Sequence, residues 1–512
     1  MRVYLSYNHT DFLIFSAIFL NTAESWYLFF FTGLIAQPIN PINVTDNRLL
    51  MKSSIILINP WIYDFAAYDM WAKPLGLLYL AGQLRSSDLD AHLIDCLDVH
   101  NSDLKNTDYR KAPIRRKYGT GKFLKQSITK PPQLNNVPRN YSRYGIPIEL
   151  FKKELQKVEE PIAILVTSLM TYWYPGVFEA IRVAKNIHPH VPIVLGGIYA
   201  TLCTEHAKKY SDADAVIPSS NNATQTIELN KFLGKVMPDF FIKEKTTPFF
   251  PYPSFDLLTK IDYICLLSSV GCPFRCPYCA SHYLRPYFTK RDPLDLFEEV
   301  LVWYKKYKII DFAFYDDALL VDGEKHIAVF LEKIIESDIP LRFHCPNGLH
   351  IAYIDKNMAT LLYKAGFTTI RLGLETSDVN LHNDLGKKFS SGKFESAVIN
   401  LKQAGFSAYQ IGAYILMGLP GQTSNQVEET IKYVGKVGAM PYLSEYSPIP
   451  HTKMWKDALS VSRFDLASEP LFHNNTIVPC WHGDDLSEVN RLKNMAQIIK
   501  KEVLSKYGTN YS

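Results

Sequence analysis

The sequence predicts two α/β units in tandem: a doubly wound parallel sheet, then a partial (β/α)6 barrel, followed by a small, mostly helical region at the carboxyl end. Three observations support this. From Met51 to residue 217, short apolar runs alternate with stretches of helical spacing. The alternation resumes at Tyr263 and repeats through six units. The chain has 512 residues, 47% apolar and 21% charged, enough for two or three separately buried cores.

Residues 1–50 fall outside this pattern. Residues 12–20 and 26–36 are apolar runs, separated by a polar break that contains Glu24. As one membrane helix, the segment would bury a carboxylate near mid-span, which costs a few kcal/mol. As a signal peptide, it lacks a basic start beyond Arg2 and a clear small-x-small site. Pro38 and Pro41 then break the chain. We read residues 1–50 as a hydrophobic extension outside the fold rather than an anchor, and expect folded structure from Met51.

The first domain is expected over residues 51–217. Residues 55–58 form an apolar strand ending at Asn59-Pro60, and residues 74–84 a helix with Pro74 near its start. Residues 92–95, 162–166 and 193–195 are further strands, the last ending at Gly196-Gly197, with a helix over 178–187 before it. In such a sheet ligands bind at the strand carboxyl ends. Residues 101–147 interrupt the domain. They hold Arg110, Lys111, Arg115, Arg116, Lys117, Lys122 and Lys125 with tyrosines at 109, 118, 141 and 144, and their prolines argue against a continuous helix. A solvated insertion is expected there, with a clamp on an anionic group as the alternative. Residues 218–260, proline-rich near their end, read as a connector.

The second domain is expected over 261–455. Its strands are 263–268, 312–315, 341–345, 369–375, 411–417 and 442–446, with helices at 294–307, 327–335, 358–363, 394–403 and 427–437. Six such units curl into an open barrel whose site is lined by groups at the strand carboxyl ends. Residues 456–512 carry Phe464, Phe472, Trp481-His482 and a helix over 489–507.

Three of the eight cysteines, Cys272, Cys276 and Cys279, lie in one loop directly after the first barrel strand. The spacing Cys-x3-Cys-x2-Cys lets three sulfurs converge from a single short segment. Thiolates hold iron–sulfur clusters, normally four per cluster, so three leave a coordination position open. The residues alone leave two other readings open: a zinc knuckle of Cys276, Cys279 and His282, and ordinary thiols or a disulfide. The other five cysteines are scattered singly, which fits a reducing, cytoplasmic setting better than a secreted disulfide framework. Net charge is 55 − 51 = +4, which points to no general affinity for nucleic acid or membrane.

This loop, with Tyr278 before its last cysteine, resembles the signature of radical S-adenosylmethionine (SAM) enzymes. The resemblance implies that Cys272, Cys276 and Cys279 hold a [4Fe-4S] cluster whose unique iron chelates SAM, with Tyr278 near the adenine. An electron from the cluster would cleave SAM to methionine and a 5'-deoxyadenosyl radical, which implies a donor such as flavodoxin or ferredoxin. Asp316-Asp317, Arg371-Leu-Gly-Leu-Glu375-Thr376 and Gly418-Leu-Pro-Gly421 end strands two, four and five. They resemble later motifs of that family and imply Asp316, Asp317, Glu375, Gly418 and Pro420 as SAM-binding. Each has a plain structural counterpart: a helix cap, a barrel salt bridge, a turn. Their order behind the cysteine triplet favours the resemblance.

Asn59-Pro60, Pro74-Leu-Gly-Leu77 and Leu195-Gly196-Gly197 resemble the cobalamin-binding domain that precedes many radical SAM domains. This implies cobalamin at the sheet's carboxyl edge, near Ser168, Thr171, Gly196 and Gly197, and methylation of an unactivated carbon. Two departures stand against it. Residues 59–73 contain no histidine for the usual Asp-x-His-x-x-Gly cobalt ligand; Asp98-x-His100 falls after the second strand. Pro218-Ser-Ser-Asn-Asn222 replaces a Gly-Glu-Gly-Glu-like turn. A vestigial fold without cobalamin, with rearrangement, cyclisation or carbon–sulfur chemistry, therefore stays open, as does a zinc-stabilised binding protein. His451, where related barrels carry glycine, is expected as a solvent-facing turn residue.

Overall fold

The computed structural model describes residues 53–106, 113–218, 222–238, 241–243, 249–386, 390, 392–481 and 485–507. The expectations for residues 1–50, Tyr109, Arg110, Lys111 and His482 lie outside the described residues.

The first sheet consists of β1 (Ser54–Asn59), β2 (Asp90–Asp95), β3 (Ala163–Val166), β4 (Ile193–Leu195) and β5 (Ala215–Val216). All pairs are parallel, in the order β5-β4-β3-β1-β2. Side-chain alternation along β1 feeds two cores. Ile56 and Ile58 pack with Phe151, Ala180 and Ala184 on one face, and Ile55 and Leu57 with Leu77, Ala81 and Leu84 on the other. That two-sided burial explains why the strand reads as continuously apolar. The stretch read as a connector holds a helix, Asn222–Val236, whose Leu229 and Leu233 complete the second core.

The insertion is folded rather than solvated. Lys125–Ser127 and Ser142–Tyr144 build an antiparallel sheet with Ile62–Asp64, and Gly121–Lys122 pairs with Tyr68–Asp69. Leu134, Val137 and Tyr141 bury against Phe65, Leu471 and Ile477. The partners are the loop after β1 and the carboxyl-terminal region, neither of which is local in sequence.

The second sheet runs in sequence order: β6 (Ile264–Leu266), β7 (Asp311–Phe314), β8 (Arg342–His344), β9 (Phe367–Glu375), β10 (Ile411–Met417) and β11 (Met440–Glu445), all parallel. Phe312, Phe314, Phe330, Phe343 and Phe367 form a contiguous ring cluster beneath its helices. On the opposite face Asp311, at the amino end of β7, accepts from Arg342 at 2.7 and 2.5 Å and pairs with His344 at 3.1 Å. Trp71 and Tyr118 each stand 4.7 Å from the His344 ring. Asp69 accepts from Arg115 and from the Tyr263 hydroxyl. The loop after β1 and the insertion thus plug the barrel's amino end, and residues 52–512 form one compact unit. Among the described residues no helix is long and apolar enough to cross a membrane.

Candidate active site

The cysteine loop leaves β6 at Leu266 and is flanked by an antiparallel pair, Ser269–Val270 with Thr289–Lys290. Buried Asp316 ties it down: its carboxylate accepts from the Ser268 backbone N–H at 3.0 Å and from the Ser268 and Ser269 hydroxyls at 2.6 Å. Burial outweighs those donors and pushes its pKa up to about 6. Asp316 therefore spends its oxygens on the loop, whereas Asp317 is exposed beside it and accepts from Ser281 Oγ at 2.9 Å.

Cys272, Cys276 and Cys279 are partly buried and free of disulfides. Burial pushes the Cys272 thiol up to about 11, and Asp317, Cys279 and Cys276 add to the rise. Among the described residues no three His, Cys, Asp or Glu side chains are drawn tightly enough together to form a ready metal site. The donor set is still the one a three-thiol cluster requires: soft ligands on one loop, none consumed by a disulfide.

Three contacts fix the loop. Phe274 stacks on His350 at 4.4 Å, the Pro277 carbonyl accepts from Met454 N at 2.9 Å, and the Tyr278 hydroxyl donates to Glu375 Oε1 at 3.0 Å. Burial and the Glu375 charge hold the Tyr278 hydroxyl protonated well beyond its ordinary range. Glu375 has φ +65°, at a slip in the β9–β10 register. Its carboxylate folds back over Gly373, where an added Cβ would stand 3.2 Å from Oε1. Gly418 N–H and Leu419 N–H both donate to Gln422 Oε1, at 2.9 and 3.2 Å, and half-buried Pro420 follows in the same turn. Gln422 was missed from sequence; a glutamine four residues beyond a glycine turn was its only signal.

At the carboxyl edge of the first sheet, Ser168 Oγ donates to the Gly196 carbonyl at 2.6 Å and accepts from Ala200 N at 3.2 Å. Gly197 has φ +94°, and a Cβ there would lie 2.3 Å from Ser168 O and 2.5 Å from Ser168 N. Thr171 Oγ1 pairs with His473 Nδ1 at 2.9 Å. Both hydroxyls expected to meet a cobalamin tail are thus engaged by protein, and the Gly197 backbone is already covered. In this arrangement a ligand tail would reach Ser168 or Thr171 only by exchanging those hydrogen bonds. His451 is exposed, as expected, but it also stacks on Tyr283 at 4.1 Å and pairs with the Leu202 carbonyl at 3.1 Å. It thereby joins the segment after the cysteines to the edge of the first sheet.

The site is thus a loop of three free thiols at the carboxyl mouth of a six-stranded partial barrel. Residues 266–434, about a third of the chain, match the radical SAM superfamily, and the fold of both α/β units resembles that of solved radical SAM enzymes. An uncharacterized methyltransferase of Pyrococcus horikoshii is 24% identical over 331 residues, 59% of this chain and 70% of that one. The anaerobic magnesium-protoporphyrin IX monomethyl ester cyclase of Rubrivivax gelatinosus is 22% identical over 340 residues, 59% of this chain and 60% of that one. Among solved structures, the radical SAM methyltransferase TsrM of Kitasatospora setae superposes with a TM-score of 0.58 at 13% identity, over 83% of this chain and 82% of that one. The cobalamin-dependent radical enzyme OxsB superposes with a TM-score of 0.52 at 14% identity, over 81% of this chain and 56% of that one.

Proposed function

We propose that this chain cleaves SAM reductively at a [4Fe-4S] cluster held by Cys272, Cys276 and Cys279. The observation that supports it most is the free three-thiol loop, anchored through Tyr278 to Glu375 across the barrel mouth. A bound cluster supplies the electron that converts SAM to methionine and a 5'-deoxyadenosyl radical. The chain's own residues do the positioning. Asp316 holds the start of the loop, and Phe274 and Pro277 pin its middle. Tyr278, Asp317, Glu375, Gly418 and Pro420 line the mouth where SAM would lie. Trp71 and Tyr118 pack on His344 at the opposite end of the barrel.

Methyl transfer is the reaction class we propose, on the strength of a two-domain architecture shared with TsrM, a methyltransferase, and of the Pyrococcus relative's designation. Cobalamin, if carried, would reach Ser168 or Thr171 only by exchanging their hydrogen bonds. The eight free cysteines support a reducing compartment, and a flavodoxin- or ferredoxin-type donor would supply the electron. The reading is tested by anaerobic purification and metal analysis. Iron with acid-labile sulfide is expected; stoichiometric zinc without sulfide would overturn it. Hydroxocobalamin retained after desalting, together with S-adenosylhomocysteine among the products, would support methyl transfer. Absence of both would remove that part.

A further inference from the structure

Inside the barrel, two cations share one aromatic ring without a carboxylate between them. Ile370, Leu372 and Leu374 on β9 face the helices, so Arg371 and Gly373 face the lumen, on the side to which Glu375 folds back. The Arg371 guanidinium crosses the neighbouring strand at Gly412, where an added Cβ would stand 2.9 Å from Arg371 Cδ and 2.7 Å from the Tyr442 ring. It comes to rest 4.3 Å from the centre of that ring, bonded among the described residues to the Ile370 and Gln410 carbonyls and, at 3.4 Å, to the Tyr442 hydroxyl. Lys500, from the carboxyl-terminal helix Asp485–Tyr507, places its ammonium 3.8 Å from the same centre. Tyr414, whose hydroxyl donates to the Pro346 carbonyl at 2.6 Å, borders the group.

Two other arginines on this barrel are neutralised. Arg342 has Asp311, and Arg291 has Asp295 and Glu299. Among the described residues neither Arg371 nor Lys500 is paired with a carboxylate. Two like charges brought together on a partly buried surface repel each other, and a pair of cations left without an anion costs stability. Cation–π contacts recover only part of that cost. An arrangement that is unfavourable by itself becomes favourable when an anion arrives.

We propose that Arg371, Lys500 and Tyr442 form a subsite for an anionic group, carboxylate or phosphate, of the substrate. This rests on the radical reading above for the word substrate; the anion site itself stands on the cations. Four residues of strand separate Arg371 from Glu375, roughly 13 Å at the usual rise. The subsite would thus hold the far end of an extended substrate whose reacting carbon lies at the barrel mouth.

The test uses the full chain, reconstituted anaerobically, and reads the acetylation rate of each lysine by mass spectrometry at pH 7. Burial, and then Arg371, push Lys500 down to about 8, so it should acetylate faster than exposed Lys456. An anion at the subsite favours the ammonium, and each unit of rise in pKa removes reactive amine about tenfold. Pyrophosphate or succinate, at ionic strength matched with chloride, should slow Lys500 by about tenfold and leave Lys456 unchanged. Slowing by pyrophosphate alone identifies a phosphate-bearing ligand, and by succinate alone a carboxylate. Arg371→Gln should weaken the protection. No slowing by either probe would overturn the proposal, and so would equal slowing by SAM alone, which would assign the cations to SAM. Iron content and SAM cleavage are measured on the same sample. Protection without cleavage would sink the radical reading while leaving the anion site in place.

Discussion

At the scale of single residues, the placement of the cysteine triplet, Tyr278 and Glu375 at strand ends was legible because it follows from short spacing and strand periodicity. Cys272→Ala, Cys276→Ala or Cys279→Ala should each reduce iron and acid-labile sulfide to background in reconstituted protein, while Cys203→Ala should retain both. Tyr278→Phe keeps the ring but removes the donor to Glu375. A hydrogen bond to a charged group contributes about 1.5–3 kcal/mol, so SAM KM should rise roughly tenfold or more with iron content unchanged. Asp316 has a pH signature. Its folded pKa of about 6 lies above the ordinary 3.8, so the folded state binds the extra proton between those values. Stability from this group is therefore greatest below pH 4 and falls as pH rises to 6, by about 3 kcal/mol. Subtracting the urea-midpoint profile of Asp316→Asn from that of wild type should isolate this fall; a flat difference would contradict the assignment. Gln422, His473 and Trp71 were not legible as site-forming residues. The partners of His473 and Trp71 lie hundreds of positions away, and periodicity carries no record of them.

At the scale of elements, all six barrel strands and four of the five strands of the first sheet were readable, some as unbroken apolar runs such as Ile55–Ile58 and Ala163–Val166, the others as apolar residues alternating with polar ones. β5 has only two residues at a sheet edge and left no pattern. The insertion was misread for a different reason. Its strands are short, and two of them pair with the distant loop after β1, Ser142–Tyr144 with Ile62–Asp64 and Gly121–Lys122 with Tyr68–Asp69, so the tertiary partner makes them strands. The glycine pair after β4 was legible as a point of close approach, but what approaches is Ser168. Gly197→Ala should therefore destabilise the fold by about 3 kcal/mol or more, through a strained φ and a clash with backbone. A bulky residue there would disrupt folding, so loss of cobalamin uptake in such a variant would not locate a pocket. Trp71→Ala, which opens the plug at His344, should cost about 3–5 kcal/mol in urea unfolding.

At the scale of the whole molecule, composition bounded the answer and the order of motifs gave it direction, but the joining of the two α/β units came only from the structure. The carboxyl edge of the first sheet meets the barrel side through Thr171 with His473 and Leu202 with His451, while Trp71 and Tyr118 reach into the barrel's amino end. Contact at both ends makes residues 52–512 one unit, and it brings the first sheet's carboxyl edge to the region beside the cysteine loop. The claim on which everything else depends is that this loop supports reductive SAM cleavage. The most direct measurement is a single turnover under strict anaerobiosis: reconstituted full-length chain, SAM and dithionite, with 5'-deoxyadenosine quantified against bound iron. Formation of 5'-deoxyadenosine in proportion to cluster content, and none from the Cys272→Ala, Cys276→Ala, Cys279→Ala triple variant, is the predicted result. A wild-type chain with a full cluster that forms none, or a triple variant that forms as much, would contradict it.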